Sequence, residues 1–313
     1  MRILFVSSGN TGKINPIIKN QGDSPIKEGI EISYFLINGK GVFGYIRNIF
    51  KIRQLFKKED FDLVHAHYSL SGFVASMAGR SPLIVSLMGS DVYSSRFWRK
   101  VIKIFSWSYW DITIVKTEKM KELMDRNNVV VIPNGVNLER FIILPMDKAR
   151  KKIGFPQNRK LILFLADPSR PEKNYDLALK AVQLVDNRNA ELLTIYNLPN
   201  EAIPYYLNAA DLLLITSQWE GSVNVVKESL ACNCPVISTN VGDIKWILNG
   251  IVNCHITSYN PAEIAEKIKS VLRNGRIING REKIINLELD SVLVAKRIIQ
   301  LYKDVLRKYN KYY

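Results

Sequence analysis

The sequence is poor in cysteine and histidine, with three of each in 313 residues. Cys232, Cys234 and Cys254 form an odd set without metal-ligand spacing or a neighbouring histidine pair, which argues for reduced structural thiols over a disulfide framework or zinc site. Long hydrophobic runs are missing too. The longest, such as Leu212 to Ile215 and Val129 to Ile132, fall far short of the ~20 residues that cross a bilayer, so no transmembrane helix is expected. The opening MRILFVSSGN has too short an apolar run for a secretion signal and no cleavage pattern, and it reads as a first buried strand. These absences suit a cytoplasmic protein.

Positive charge is abundant. The 44 Lys and Arg residues exceed the 29 Asp and Glu residues, for a net charge of +15, which attracts polyanions: nucleic acid, anionic lipid or a phosphorylated substrate. At 47% hydrophobic and 23% charged the chain is globular in composition, and its length accommodates two domains.

Short apolar runs rich in β-formers alternate with helix-length patterns, without repeats or low-complexity segments. Strands are predicted at Arg2–Ser7, Glu31–Ile37, Leu63–His67, Leu83–Leu87, Ile112–Val115 and Val129–Ile132, and again at Leu161–Leu165, Glu191–Ile195, Leu212–Thr216 and Val236–Thr239. Such alternation argues for parallel sheets covered by helices, a doubly wound α/β class. The proline- and lysine-rich stretch around Pro145 interrupts it, which predicts domains over 1–145 and 146–295 and a terminal helix over 296–313. In such sheets ligands sit beyond the carboxyl ends of the strands.

The stretch SQWEGSVNVVKESLACNCPVIS, Ser217 to Ser238, lies at such an end. After Gly221 and Ser222 a helix begins, so backbone amides from Ser222 to Val225 are predicted to point out of a positive helix terminus, a ready phosphate site. Glu220 precedes the turn and Glu228 lies early in the helix, placed for a sugar and a ribose diol respectively. An isolated glutamate pair is more often solvated surface charge.

Further residues alter that balance. EGSVNVVKE with SLACNCPVIST resembles the glutamate, seven residues, glutamate signature of retaining family 4 glycosyltransferases, which use the GT-B fold: two Rossmann-like domains facing across a cleft, with a C-terminal helix packing back on the first. VIPNGVNLERF, RPEKNYDLALKAV, HAHYSLSGFVAS, SLMGSDVY and STNVGDI match further family stretches in the expected order, so the resemblance covers nearly the whole chain. It implies that Lys173, with Arg170 sharing the role, holds the β-phosphate of a nucleotide-diphosphate sugar. Glu220 then touches the transferred sugar and Glu228 the ribose. Gly221, Ser222, Val223, Asn224 and Asn134 complete donor binding. A UDP-linked donor is favoured over a guanosine one by family frequency alone.

On the acceptor side the resemblance implies Gly9, Gly12, His67 and Asp91. The two histidines near the end of one strand, His65 and His67, are read as lying on opposite faces, with His67 available to the acceptor and a satisfied structural histidine as the plain alternative. Asp91 is a helix cap in the first instance and an acceptor ligand in the second. Three departures from the family stand out. Met88 replaces a frequent histidine, ADPSR replaces a frequent glycine-arginine pair, and Lys245–Trp246 stand where Pro-Glu is common. An Asp-x-Asp metal motif is read as absent, and neither metal nor cofactor is expected. The implied reaction is metal-free hexosyl transfer with retention, onto a glycan or lipid-linked glycan acceptor in polysaccharide, lipopolysaccharide or capsule synthesis.

Two basic segments are amphipathic. RFWRKVIKIFSWSYW places Arg96, Arg99, Lys100 and Lys103 on one stripe with Trp98 and Trp107 available to an interface, and YIRNIFKIRQLFKK presents Arg47, Lys51 and Lys58. Ordinary solvated helices explain them, as does peripheral docking on the anionic inner face of a membrane. A nucleic-acid binder would account for the charge and leave the two glutamates unexplained, and no nucleic-acid motif is present. Among other GT-B enzymes, an epimerase fits the glutamate spacing poorly and a phosphorylase lacks its cofactor lysine context. A dehydrogenase would need a glycine fingerprint that SSGNTGK does not supply.

Overall fold

The computed structural model describes every residue except 11, 13, 28, 40, 80–81, 186–189, 277 and 310–313. The run ILFV inside the first strand is fully buried from Ile3 to Val6. Burial on both faces is what a parallel strand covered by helices on two sides requires. This strand, β1 (Arg2–Ser8), is followed by α1 (Pro16–Lys27), β2 (Glu31–Ile37), α2 (Gly41–Lys58), β3 (Leu63–His67), α3 (Ser69–Ala78) and β4 (Leu83–Ser86). Then come α4 (Ser90–Tyr93), α5 (Arg96–Ser108), β5 (Ile112–Val115), α6 (Glu118–Met124) and β6 (Val129–Val131). All six strands pair in parallel in the order β2-β1-β3-β4-β5-β6.

The second unit repeats the plan with α7 (Met146–Ile153), β7 (Lys160–Phe164), α8 (Tyr175–Gln183), β8 (Ala190–Thr194), α9 (Ile203–Ala209) and β9 (Leu212–Ile215). It continues through α10 (Asn224–Ala231), β10 (Val236–Thr239), α11 (Ile244–Leu248), β11 (His255–Thr257), α12 (Pro261–Asn274) and α13 (Gly280–Asn286). Its five parallel strands run β11-β10-β9-β7-β8. In each sheet the order reverses once, between β1 and β3 and between β7 and β9.

The last helix, α14 (Ser291–Lys308), belongs to the first unit, where Val294, Ile298 and Tyr302 pack with Ile3, Phe5 and Ile84 in one core. The units are residues 1–134 with 291–313, and Gly135–Asp290. The division thus falls before the expected boundary at Pro145. Residues of that interval lie on the second unit: the Val136 amide donates to Leu289 O at 2.8 Å, Phe141 enters that unit's core, and the Asn208 side chain bonds both Ile142 O and Leu144 N. The carboxyl-side boundary at 290 likewise precedes the expected 295.

Element type follows the predicted alternation for all ten expected strands. Helix α1 is not among the predicted elements, and it contains Gly22 and Pro25, residues that disfavour a helix interior. Its contacts with α14 and its buried Ile18 hold it in place. Among the described residues, the three cysteines are unpaired, and burial pushes the thiols of Cys232 and Cys254 up to about 12. No helix among them is long and apolar enough to cross a membrane.

Candidate active site

The switch point of the second sheet brings the loop after β7 against the loop after β9. Two sets of hydrogen bonds lace them together. The Thr216 hydroxyl, at the end of β9, lies 2.9 Å from both Lys173 O and Asn174 O, and the Gln218 amide donates to Glu172 O at 2.8 Å. Asn174 takes a left-handed conformation (φ 52°), which turns the chain from the short 3-10 helix Pro171–Lys173 into α8. Asparagine tolerates that geometry better than most residues. The lacing sets Lys173 Nζ in an ion pair with Glu220 Oε1, and the Ser217 hydroxyl donates to the same oxygen at 2.9 Å. A small cleft there is lined by Ala166, Lys173, Thr216, Ser217 and Glu220. Arg170, by contrast, is exposed and forms its ion pair with Glu172.

At the start of α10 the structure amends the expected phosphate cradle. The Val223 amide donates to Asp243 Oδ1 at 3.0 Å, and the Ser222 hydroxyl donates to Asp243 Oδ2 at 2.7 Å. Both groups are therefore engaged within the protein, and a carboxylate already occupies part of the positive helix end. Lys227 Nζ lies 3.3 Å from Asp243 Oδ2 and also bonds the Ser222 hydroxyl. Lys227 is fully buried; burial lowers its pKa, opposed by Asp243. Gly242 (φ 57°) permits this closeness, since a Cβ there would meet Gly221 O at 2.5 Å. Glu228 lies on α10, where desolvation raises its carboxyl to about 7 against the opposing charges of Arg140 and Lys227. Gly221 and Asn224 flank this network, and Asn134 is the last residue of the first unit's amino-terminal segment.

Asp243 and Lys227 are the residues that sequence reasoning missed. The available signal was a cation on the buried stripe Val223, Val226, Lys227, Leu230, at helical spacing.

In the first unit, His65 and His67 share a face of β3, stacked with ring centroids 4.3 Å apart. The opposite-face reading is corrected by strand geometry itself, because residues two apart point the same way. His65 is satisfied by the Tyr302 hydroxyl at 2.6 Å and the Ser86 hydroxyl at 2.8 Å. Among the described residues neither ring nitrogen of His67 has a partner, nor does the neighbouring Ser7 hydroxyl, and all three atoms are buried. Desolvation, reinforced by the buried Lys116, lowers His67 to about 3, so its imidazole is neutral at pH 7.

Asp91 has a structural task. Its Oδ1 accepts from the Ser69 amide at 3.0 Å and hydroxyl at 2.8 Å, and Oδ2 accepts from the Met88 amide at 2.7 Å. It thereby caps the start of α3 from α4, whose own cap is Gly89. Gly9 closes tightly on β2, where a Cβ would lie 2.6 Å from both Asn38 Oδ1 and Leu36 Cβ, and Gly12 has φ 72°. One Asp-x-Asp spacing does exist, at Asp60–Phe61–Asp62, which corrects the expectation of none. Asp62 accepts from the Arg2 amide at 2.8 Å ahead of β3, at the end of the sheet opposite the switch point. No group of three or more potential metal ligands occurs among the described residues.

Two successive open parallel sheets, each covered by helices, are the architecture of GT-B glycosyltransferases. Residues 19–140 match the model described as Glycosyltransferase Family 4, and residues 188–287 match that of Glycosyl transferases group 1. The chain belongs to the family 4 glycosyltransferases.

A Bacillus subtilis glycosyltransferase named for teichuronic acid biosynthesis is 26% identical over 66% of the chain, a match that spans 60% of that relative's length. The Escherichia coli UDP-Gal:alpha-D-GlcNAc-diphosphoundecaprenol alpha-1,3-galactosyltransferase is 24% identical, over 83% of this chain and 80% of its own. Among solved structures, sucrose-phosphate synthase from Thermosynechococcus elongatus superposes with a TM-score of 0.85 at 16% identity, covering 98% of this chain and all of that one. Anabaena HepE in complex with UDP and glucose gives 0.79 at 17% identity, covering 97% and 100%.

Proposed function

We propose that this glycosyltransferase moves a hexose from a UDP-linked donor to a lipid-linked glycan, with retention of configuration and without a metal, in cell-envelope polysaccharide synthesis on the cytoplasmic side of the membrane. The observation that carries the reading is the Lys173–Glu220 pair at the β7/β9 switch point, beside the start of α10. Donor binding exchanges the partner of Lys173: its ammonium turns from Glu220 to the β-phosphate, and Glu220 is released to accept hydroxyls of the sugar. The nucleotide in the HepE complex and the diphosphoundecaprenol acceptor in the name of the E. coli relative support the donor and acceptor classes.

The chemistry follows from charge. As the bond between the anomeric carbon and the phosphate oxygen breaks, UDP leaves with the electron pair, and a preorganised cation at that oxygen is worth more in the transition state than before it. The acceptor oxygen bonds the same face of the anomeric carbon, and its proton passes to the departing phosphate. Ser217 holds Glu220 in place throughout.

A thermal-shift screen of nucleoside diphosphates and their sugars tests the donor class, since a ligand of the native state raises its melting temperature. Stabilisation by UDP that Lys173→Ala abolishes is the expected result. Stabilisation by no nucleotide, or equal stabilisation of the variant, overturns the assignment. Determining the anomeric configuration of the product by NMR tests retention.

A further inference from the structure

Helices α2, α3 and α5 lie together on one side of the first sheet. Helix α3 contacts both neighbours, and Ile52, Val74, Ala75, Ala78 and Ile102 enter one core beneath them. Their composition is one-sided. Helix α2 carries Arg47, Lys51, Arg53, Lys57 and Lys58, α5 carries Arg96, Arg99, Lys100 and Lys103, and none of the three helices contains an aspartate or glutamate. Other long helices mix signs: α12 offsets its cations with Glu263 and Glu266, and α14 contains Asp304.

The inward and outward residues of this layer differ from the sequence expectation. Trp98 is turned in, edge-on to Phe73 with centroids 5.5 Å apart, and the Arg99 guanidinium donates to Val92 O at 2.9 Å. Arg53 is likewise engaged, donating to Met77 O at 2.7 Å. Large apolar side chains project outward instead: Phe43 is 88% exposed, Phe97 and Trp107 are each 74% exposed, and Phe50 and Ile104 are more than half exposed. On α5 the outward positions Phe97, Lys100, Ile104 and Trp107 recur at helical spacing, with hydrocarbon and cation interleaved.

We infer that the outer face of the α2/α3/α5 layer docks on an anionic lipid bilayer. Protruding hydrocarbon enters the boundary of the acyl chains while the surrounding lysines and arginines meet lipid phosphates, the pattern of an interfacial helix. A nucleic acid would reward the cations and leave the projecting phenylalanines in water. A folded protein partner would have to supply acidic groups around apolar recesses spaced across three helices, whereas a bilayer presents both layers everywhere. The inference rests on the proposed lipid-linked acceptor for its purpose, and it involves none of the residues at the switch points.

Flotation of the full chain decides it, using vesicles of equal parts phosphatidylglycerol and phosphatidylcholine against vesicles of phosphatidylcholine alone, at about 0.15 M salt where exposed charges more than ~8 Å apart are screened. Wild type is expected to float with the anionic vesicles and stay in solution with the neutral ones. Phe43→Ser/Phe50→Ser/Trp107→Ser, which keeps every charge, and Arg47→Glu/Lys51→Glu/Lys100→Glu, which keeps every aromatic, are each expected to lower the bound fraction about tenfold or more. Thermal shift with UDP, run on the same variants, reads the donor site separately. Equal UDP stabilisation with lost flotation supports the inference whatever the acceptor proves to be.

Should the aromatic variant not fold, the charge variant carries the test. Failure of wild type to float, equal flotation on neutral vesicles, or undiminished flotation of a folded variant overturns it. So does salt-sensitive binding of duplex DNA or RNA without vesicle binding.

Discussion

At the carboxyl end of the second sheet the charged side chains are matched to one another: Lys173 with Glu220, Arg170 with Glu172, Lys227 with Asp243. At the corresponding end of the first sheet, His67 keeps two buried ring nitrogens and Ser7 a buried hydroxyl without a partner among the described residues. Each sheet is parallel throughout and has a single reversal of order, so the difference lies in the side chains. A paired cluster is rigid and orders the loop that carries it. An unpaired buried polar group costs about 1 to 3 kcal/mol, a cost that packing of the first unit must offset and that an incoming hydroxyl or phosphate would relieve.

Breaking the pairing in the second sheet should have the largest effect. Asp243→Ala removes the carboxylate paired with the buried Lys227 ammonium together with the partner of the Val223 amide, and a loss of about 3 to 5 kcal/mol is expected in urea unfolding. Adding Lys227→Met should restore much of that loss, because both members of the ion pair are then removed together. A single variant as stable as wild type would show that this pair does not hold the donor loop.

Next in size is the site itself. Lys173→Ala and Glu220→Gln should each lower turnover about 10² to 10³-fold, with melting temperatures within about 2 °C of wild type, because the pair is partly open to solvent and such ion pairs contribute little to stability. Comparing kcat with KM in a coupled UDP-release assay separates the roles: loss in kcat marks transition-state contact, loss confined to KM marks donor binding.

The comparison has a pH signature of opposite sign in the two units. His67 has a folded pKa near 3, below the unfolded 6.5, so the unfolded chain binds the extra proton and stability is lost as pH falls from about 6.5 towards 3. Glu228 has a folded pKa near 7, above the unfolded 4.5, so its contribution is full below 4.5 and is lost as pH rises through 7. His67→Phe should flatten the acid limb of unfolding stability measured against pH, and Glu228→Gln should flatten the slope between about 4.5 and 7. His67→Phe should also leave neutral-pH stability unchanged or raise it, since it deletes ring nitrogens that have no partner among the described residues. A drop of more than about 1 kcal/mol would mean that His67 is held by contacts other than its ring nitrogens.

The smallest effect is expected at Arg170. Its guanidinium is more than half exposed and paired with Glu172 two residues away, so Arg170→Ala should alter stability by no more than about 0.5 kcal/mol and reduce turnover less than Lys173→Ala. Equal losses for the two variants would restore Arg170 as a phosphate ligand of the same rank.

Much of this was legible from residue order. Buried parallel strands announce themselves as short apolar runs, because burial on two faces leaves no polar alternation. The Glu220 loop was placed because it follows such a run, whereas Lys173 was singled out only through the family resemblance. Helix α1, with its internal glycine and proline, was not legible, since its stability comes from α14, far along the chain. The boundary at Pro145 was misplaced for a related reason: Val136 and Leu144 are fastened to the second unit by Leu289 and Asn208, and Phe141 enters its core, which local composition does not reveal.

Strand identity and the doubly wound class were settled by local pattern, because hydrophobic burial and backbone pairing act on segments of a few residues. Pairings across long separations were settled by folding. They include the meeting of Asp243 with Lys227 at the head of α10, and the same packing decided the outward turn of Phe43, Phe97 and Trp107. Each depends on which surface a neighbouring element leaves uncovered, and that is set by the packing of whole helices and sheets rather than by the order of residues along any one of them.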